Sequence, residues 1–171
     1  MNGARPAGGS LAGASRRAAV VVASTRAAAG VYEDRTGPVI QEWLRGNGFD
    51  VEAVAVVADG DAVGDTLREL VRGGCAVVVT SGGTGLSPDD RTPEQTKALL
   101  DIEVPGIMEA IRHAGAGNTP TAILSRGHAG VAGKTFIINL PGSPGGVRDG
   151  LAVLGPVLGH LCDQLEGSHE H

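Results

Sequence analysis

Apolar residues along this chain fall into two alternating patterns. Five short runs are rich in β-branched residues and bounded by Gly, Pro, Asp or Ser: Ala18 to Ser24, Val51 to Val57, Val77 to Val79, Ala122 to Leu124 and Thr135 to Leu140. They read as buried strands. Between them apolar residues recur at helical spacing. Val39, Ile40, Trp43 and Leu44 form one face of a helix entered at Pro38 and ended by Gly46 to Gly48. Val63, Leu67, Leu70 and Val71 form a second, stopped by Gly73-Gly74. Further helices are predicted from Thr92 through Leu100 and from Ile107 to Ala114, with loops at Thr25 to Gly30 and Gly115 to Pro120. In the closing helix Val147, Leu151, Leu154, Leu158, Leu161 and Leu165 make a core-packing stripe. Strands and helices alternating at short intervals predict an α/β fold, a three-layer α/β/α sandwich with a mostly parallel central sheet. In such a sheet ligands sit at the carboxyl ends of the strands.

Composition sharpens this picture. With 171 residues and 42% apolar side chains the chain suits one domain, expected over residues 17–166 between a flexible tail at 1–16 and a short tail at 167–171. Aromatics are only 2%, so the core must be built from Val, Leu, Ile and Ala, as where helices cover both faces of a parallel sheet. A formal charge of −5 argues against nucleic acid as a partner. No apolar run approaches the roughly 20 residues of a membrane span, and the N-terminus lacks a secretory pattern, so a cytoplasmic protein without a membrane partner is expected. Cys75 and Cys162 stand far apart in apolar surroundings and read as small buried hydrophobes.

The candidate chemistry centres on Ala76 to Glu94. A β-branched strand runs into Thr80-Ser81 and then Gly82-Gly83-Thr84-Gly85, a loop whose glycines let successive N–H groups approach a bound oxygen. Asp89-Asp90 follow, and Thr92 with Pro93 and Gln95 has the spacing of a capped helix start. Two carboxylates beside a phosphate cradle suggest a divalent cation, most plausibly Mg2+, shared with the phosphates. The dinucleotide fingerprint fails at Pro88 and the P-loop at His128. A second glycine-rich stretch, Pro141-Gly142-Ser143-Pro144-Gly145-Gly146, opens the closing helix and offers a second anion site, so the two loops should share one cleft. Asp34, Asp59 and Asp61 are each explicable as turn or cap residues. Arg126, after Ser125, either meets an anion or is a surface arginine without a partner.

Ser81-Gly82-Gly83-Thr84-Gly85, Asp90, Thr92-Pro93-Glu94 and Asn139-Leu140-Pro141-Gly142-Ser143-Pro144, with Asp34-Arg35-Thr36-Gly37-Pro38 and Leu124-Ser125-Arg126-Gly127, resemble the MoaB/Mog family of molybdenum cofactor biosynthesis proteins over residues 18–166. The resemblance implies the sandwich fold, a homotrimer with one pocket per subunit, and Mg2+-dependent adenylylation of molybdopterin by ATP, giving adenylyl-molybdopterin and pyrophosphate. It implies Asp59 and Asp90 as catalytic and metal-positioning residues. Molybdopterin, ATP or phosphate would be held by Asp34, Ser81, Gly82, Gly83, Thr84, Gly85, Thr92, Glu94, Ser125, Arg126, Asn139, Pro141, Gly142 and Ser143. The product would pass to a molybdate-insertion enzyme. Ala58 replaces the proline usual before the first catalytic aspartate, and Asp89, Arg91, His128 and Gly145 also depart from the family pattern. The competing readings are a non-catalytic molybdopterin-binding or carrier paralogue, and a stand-alone relative of the domains fused to molybdate-insertion enzymes.

Overall fold

The computed structural model describes residues 15–167. The expected tails lie outside that range except for Ser15, Arg16 and Gly167. Arg16 does not belong to a tail in its contacts: its guanidinium meets Asp163 at 2.5 Å and Glu166 at 2.7 Å on the closing helix.

Strand β1 (Arg17–Ala23) is the centre of a parallel array. It pairs in parallel with β2 (Asp50–Val51), β3 (Ala55–Val57) and β4 (Val77–Ser81), and β4 pairs in parallel with β7 (Thr135–Leu140). Beyond β7 the sheet turns antiparallel through β6 (Ala129–Ala132) and β5 (Ile102–Glu103), giving the order β2-β1-β4-β7-β6-β5 with β3 also on β1. Alternation along the strands divides the core in two. Val20, Val22, Val77, Val79, Phe136 and Ile138 face α2 (Gly37–Gly46), α5 (Pro105–Ala116) and α6 (Pro144–Leu165). Val21, Val78 and Ile137 face α3 (Asp61–Arg72) on the other side. Three layers result, with a mostly parallel mixed sheet as expected. Cys75 and Cys162 are buried and free, and burial raises both thiol pKa values.

Four local expectations are corrected. The run Val51 to Val57 is two strands, because Arg45 and Gln41 of α2 donate to the carbonyls of Val51 (2.8 Å) and Glu52 (2.6 Å) and end the ladder there. Ala122 to Leu124 is no strand but part of a 3₁₀ turn, Pro120–Leu124, started by its proline and leaving Ile123 and Leu124 exposed. Its place in the sheet is taken by β6, whose sequence AGVA carries little strand propensity. Thr25 to Gly30 contains one helical turn, α1 (Thr25–Ala28), capped by the Ser24 hydroxyl. The last correction concerns α4 (Thr92–Lys97): Arg91 is its N-cap residue without a side-chain cap bond, and Gln95 reaches Asp61 Oδ1 at 3.2 Å instead of closing a capping box.

Candidate active site

β1, β3, β4 and β7 run in parallel, so the residues following them gather at one edge of the sheet. Gly82 follows β4 and receives no side chain because there is no room for one: its φ is +93°, its N–H donates to Leu140 O at 3.1 Å, and a Cβ would run into the Ala23 carbonyl. Gly83, at φ +66°, packs close against two side chains. A Cβ there would collide with the Thr92 hydroxyl and stand 2.9 Å from Asp59 Oδ1. Gly85 packs the same way against Asp90, whose Oδ2 would lie 2.7 Å from its Cβ. The glycine loop therefore packs against Asp59 at Gly83 and against Asp90 at Gly85, two residues further along.

Each aspartate is anchored through one carboxylate oxygen. Asp59 Oδ2 accepts from the backbone N–H and the hydroxyl of Thr25, both at 3.2 Å. Its Oδ1 is buried without a hydrogen-bond partner among the described residues, as is the Thr92 hydroxyl. An unpartnered buried carboxylate oxygen costs on the order of 1–3 kcal/mol or more. A cation or a donor from a substrate would relieve that cost, so Asp59 fits a divalent ion. Asp90 Oδ2 accepts from Ser87 N–H at 3.1 Å, and among the described residues no bond engages Oδ1. Among the described residues no group of three or more His, Cys, Asp or Glu converges on one point. A metal held here would complete its shell from substrate phosphates and water, the usual habit of magnesium.

The segment that carries Asp90 is braced from the far side. Arg126 Nε donates to Gly85 O at 2.9 Å, Nη2 to Asp90 O at 2.8 Å, and Nη1 to the Glu94 carboxylate. That bond holds the Glu94 carboxyl below its usual pKa range. Backbone and hydroxyl bonds join in: Arg126 N–H to Thr84 O at 3.0 Å, and the Ser125 hydroxyl to Thr84 Oγ1 at 3.3 Å. Arg91 faces Asp61 across 3.7 Å at the exposed rim.

The second glycine loop lies against the first, with Gly142 packed on Gly82. Ser143 caps α6, its hydroxyl accepting from Gly146 N–H at 3.1 Å. Thr84, Gly85, Pro141, Ser143, Gly145 and Gly146 line one cavity of about 850 Å³, closed on its other side by α5 and the 3₁₀ turn. On the opposite side of the Gly82–Gly142 contact a smaller cavity of about 190 Å³ is lined by Asp34, Ser81, Gly82 and Gly142. One cleft was expected; two cavities share its glycine ridge.

Not every expected residue reaches open space. Asn139 is fully buried and fully engaged: it donates to Thr80 Oγ1 at 3.0 Å and Thr96 Oγ1 at 2.9 Å, and accepts from His128 N–H at 3.0 Å. It locks β7 to β4, to α4 and to the residue before β6, so in this structure its amide is engaged by the fold. Ser81 is also fully buried, its hydroxyl donating to Pro141 O at 3.0 Å and accepting from the Thr36 hydroxyl at 2.8 Å. Asp34 caps α2 by accepting from the N–H groups of Thr36 and Gly37 at 3.1 and 3.0 Å, with its other oxygen turned over Gly37. His128 pairs with Glu103 at 3.3 Å across β5 and β6, while burial lowers its pKa. Thr25, Thr36 and Ser87, which orient Asp59, Ser81 and Asp90, were not singled out from the sequence. The available signal for Thr25 is its place two residues beyond the end of β1.

Residues 19–160 match the family described as "Probable molybdopterin binding domain". The molybdenum cofactor biosynthesis bifunctional protein of Synechococcus elongatus is 42% identical over 161 residues, covering 94% of this chain and 50% of its own length, so the chain spans half of that relative. The molybdopterin adenylyltransferase of Helicobacter pylori is 38% identical over 154 residues, 88% of each chain. Among solved structures, the molybdopterin biosynthesis Mog protein from Mycobacterium ulcerans is 56% identical with a TM-score of 0.85, covering 88% of this chain and 99% of that one.

Proposed function

The chain belongs to the probable molybdopterin binding domain family, and from that premise we propose that it is a molybdopterin adenylyltransferase of molybdenum cofactor biosynthesis, with ATP and molybdopterin as substrates. The observation that supports this most is the glycine loop packed on Asp59 at Gly83 and on Asp90 at Gly85, with the Asp59 Oδ1 atom buried and without a partner among the described residues. In the proposed reaction an oxygen of the terminal phosphate of molybdopterin attacks the α-phosphorus of ATP. A P–O bond forms there as the bond to the bridging oxygen breaks, and pyrophosphate leaves with the electron pair. A phosphate monoester is already anionic near neutral pH, so no strong general base is required. What the site must supply is alignment and charge compensation.

The residues divide that work. Backbone N–H groups of Gly82 to Gly85 and of the Pro141 to Gly146 loop hold phosphate oxygens, and the α6 N-terminus adds a favourable dipole. Asp59 and Asp90 would hold Mg2+, which when bound neutralises charge on the triphosphate and the leaving group. The large cavity between α5 and α6 has room for a ring system, with Ile111, Leu124 and Leu86 giving it apolar walls. The homotrimer, the cytoplasmic location and handover to a molybdate-insertion enzyme belong to the same proposal. No helix among the described residues is long and apolar enough to cross a membrane.

The test is pyrophosphate release from ATP and Mg2+, with and without fresh molybdopterin, for the wild type and Asp90→Ala. Release that depends on molybdopterin and falls by about 100-fold or more in the variant is expected, the scale for losing one electrostatic group at a phosphoryl-transfer centre. Tight molybdopterin binding without release would leave a carrier in place of an enzyme.

A further inference from the structure

The loop from Thr84 to Glu94 carries Asp90 yet has few ties of its own. Asp90 N–H bonds Ser87 O at 2.9 Å, the Asp90 side chain takes Ser87 N–H, and Thr92 N–H reaches back to Gly83 O at 3.2 Å. Among the described residues the Ser125 hydroxyl adds a bond to Thr84 Oγ1 at 3.3 Å and Arg91 faces Asp61 at the exposed rim, and the remaining ties come from Arg126. A guanidinium has N–H donors in a rigid planar fork, and here that fork reaches three separate points: Gly85 O near the start of the irregular chain, Asp90 O near its end and the Glu94 carboxylate in the first turn of α4. The Arg126 main chain adds Thr84 O. The arginine is itself supported, since Arg112 Nη1 donates to Ser125 O at 3.2 Å. A phosphate arriving at this guanidinium would have to compete with Glu94, which already neutralises it.

We propose that Arg126 is a positioning residue that sets the path of the Asp90 loop, and not a ligand of a substrate phosphate. The activity readout rests on the adenylyltransferase reading above. Two substitutions separate the roles. Arg126→Lys keeps the charge but cannot span three acceptors, because an ammonium is a compact point donor. Glu94→Gln weakens one tie of the clamp and frees the guanidinium from its carboxylate.

Positioning predicts that Arg126→Lys lowers kcat by about tenfold or more with the KM for ATP within about twofold, as expected when a reacting group is misplaced. Glu94→Gln lowers kcat in the same direction by a smaller factor. A phosphate ligand predicts the reverse pattern: Arg126→Lys raises KM with kcat kept, and Glu94→Gln tightens ATP. Either of those results overturns the proposal. Amide hydrogen exchange on the full-length protein is the second arm, and it does not depend on activity. Faster exchange in Arg126→Lys confined to residues 84–92, with unchanged global stability, supports the clamp, and unchanged exchange there overturns it. A wild type that releases no pyrophosphate would sink the enzymatic reading while the exchange arm still decides the clamp.

Discussion

The two glycine-rich loops leave neighbouring parallel strands and touch at Gly82 and Gly142, yet they are held by different means. The first is ten residues of irregular chain between β4 and α4, packed at Gly83 against the Asp59 and Thr92 side chains and tied down by Arg126, 41 positions away from Gly85. The second runs straight into the 22-residue α6 and takes its shape from the helix start, with the Ser143 cap inside it and the Ser81 hydroxyl on Pro141 O where it leaves β7. A loop that must place carboxylates needs bracing from remote side chains. A loop that offers only backbone N–H groups can borrow its rigidity from the helix it opens.

Alanine in the two touching glycines tests this contrast most severely. Gly82→Ala must adopt φ +93° and push against the Ala23 carbonyl, at a cost of about 3 kcal/mol or more. Gly142→Ala places its Cβ 3.3 Å from Gly82 Cα, a contact a small shift relieves, at a cost of about 1 kcal/mol. Urea unfolding of the two variants measures the gap, and equal losses would break the comparison.

Asn139→Ala comes next, because it leaves the buried Thr80 and Thr96 hydroxyls and the His128 N–H without their partner. The expected loss is about 2–4 kcal/mol, and it should fall on the first loop through α4, seen as faster exchange at Thr92 to Thr96. Ser143→Ala removes only the α6 cap. It should cost about 1 kcal/mol in the same unfolding experiment and leave exchange in the 84–94 loop unchanged.

Acidification gives the smallest effect. Glu94 has its pKa lowered from 4.5, first by the Arg126 hydrogen bond. A carboxylate with a depressed folded pKa contributes stability that is complete above 4.5 and is lost as pH falls through the lowered value. The pair is half exposed and screened, so the first loop should loosen modestly under acid, while the second, with no carboxylate in the first turn of α6, stays as it was. Exchange rates corrected for pH at Gly85 and Gly146 make that comparison directly.

The sequence by itself determined the parallel half of the sheet, the α2, α3 and α6 faces, and the two glycine loops at one edge. Those features are local: a β-branched run, a helical period or a Gly-rich turn announces itself within a dozen residues. It left the antiparallel edge unread, since Ile102–Glu103 is two residues long and Ala129–Ala132 is built of small residues that become a strand only by pairing with β7. Only the tertiary structure decided that Asn139 is a buried lock, that Asp59 keeps an unpartnered oxygen beside Gly83, and that Arg126 grips the backbone of the Asp90 loop. The physical reason is that a hydrogen bond's partner is fixed by which groups share a place in space, and residues 30 to 60 positions apart acquire that proximity only when the sheet brings their strands together.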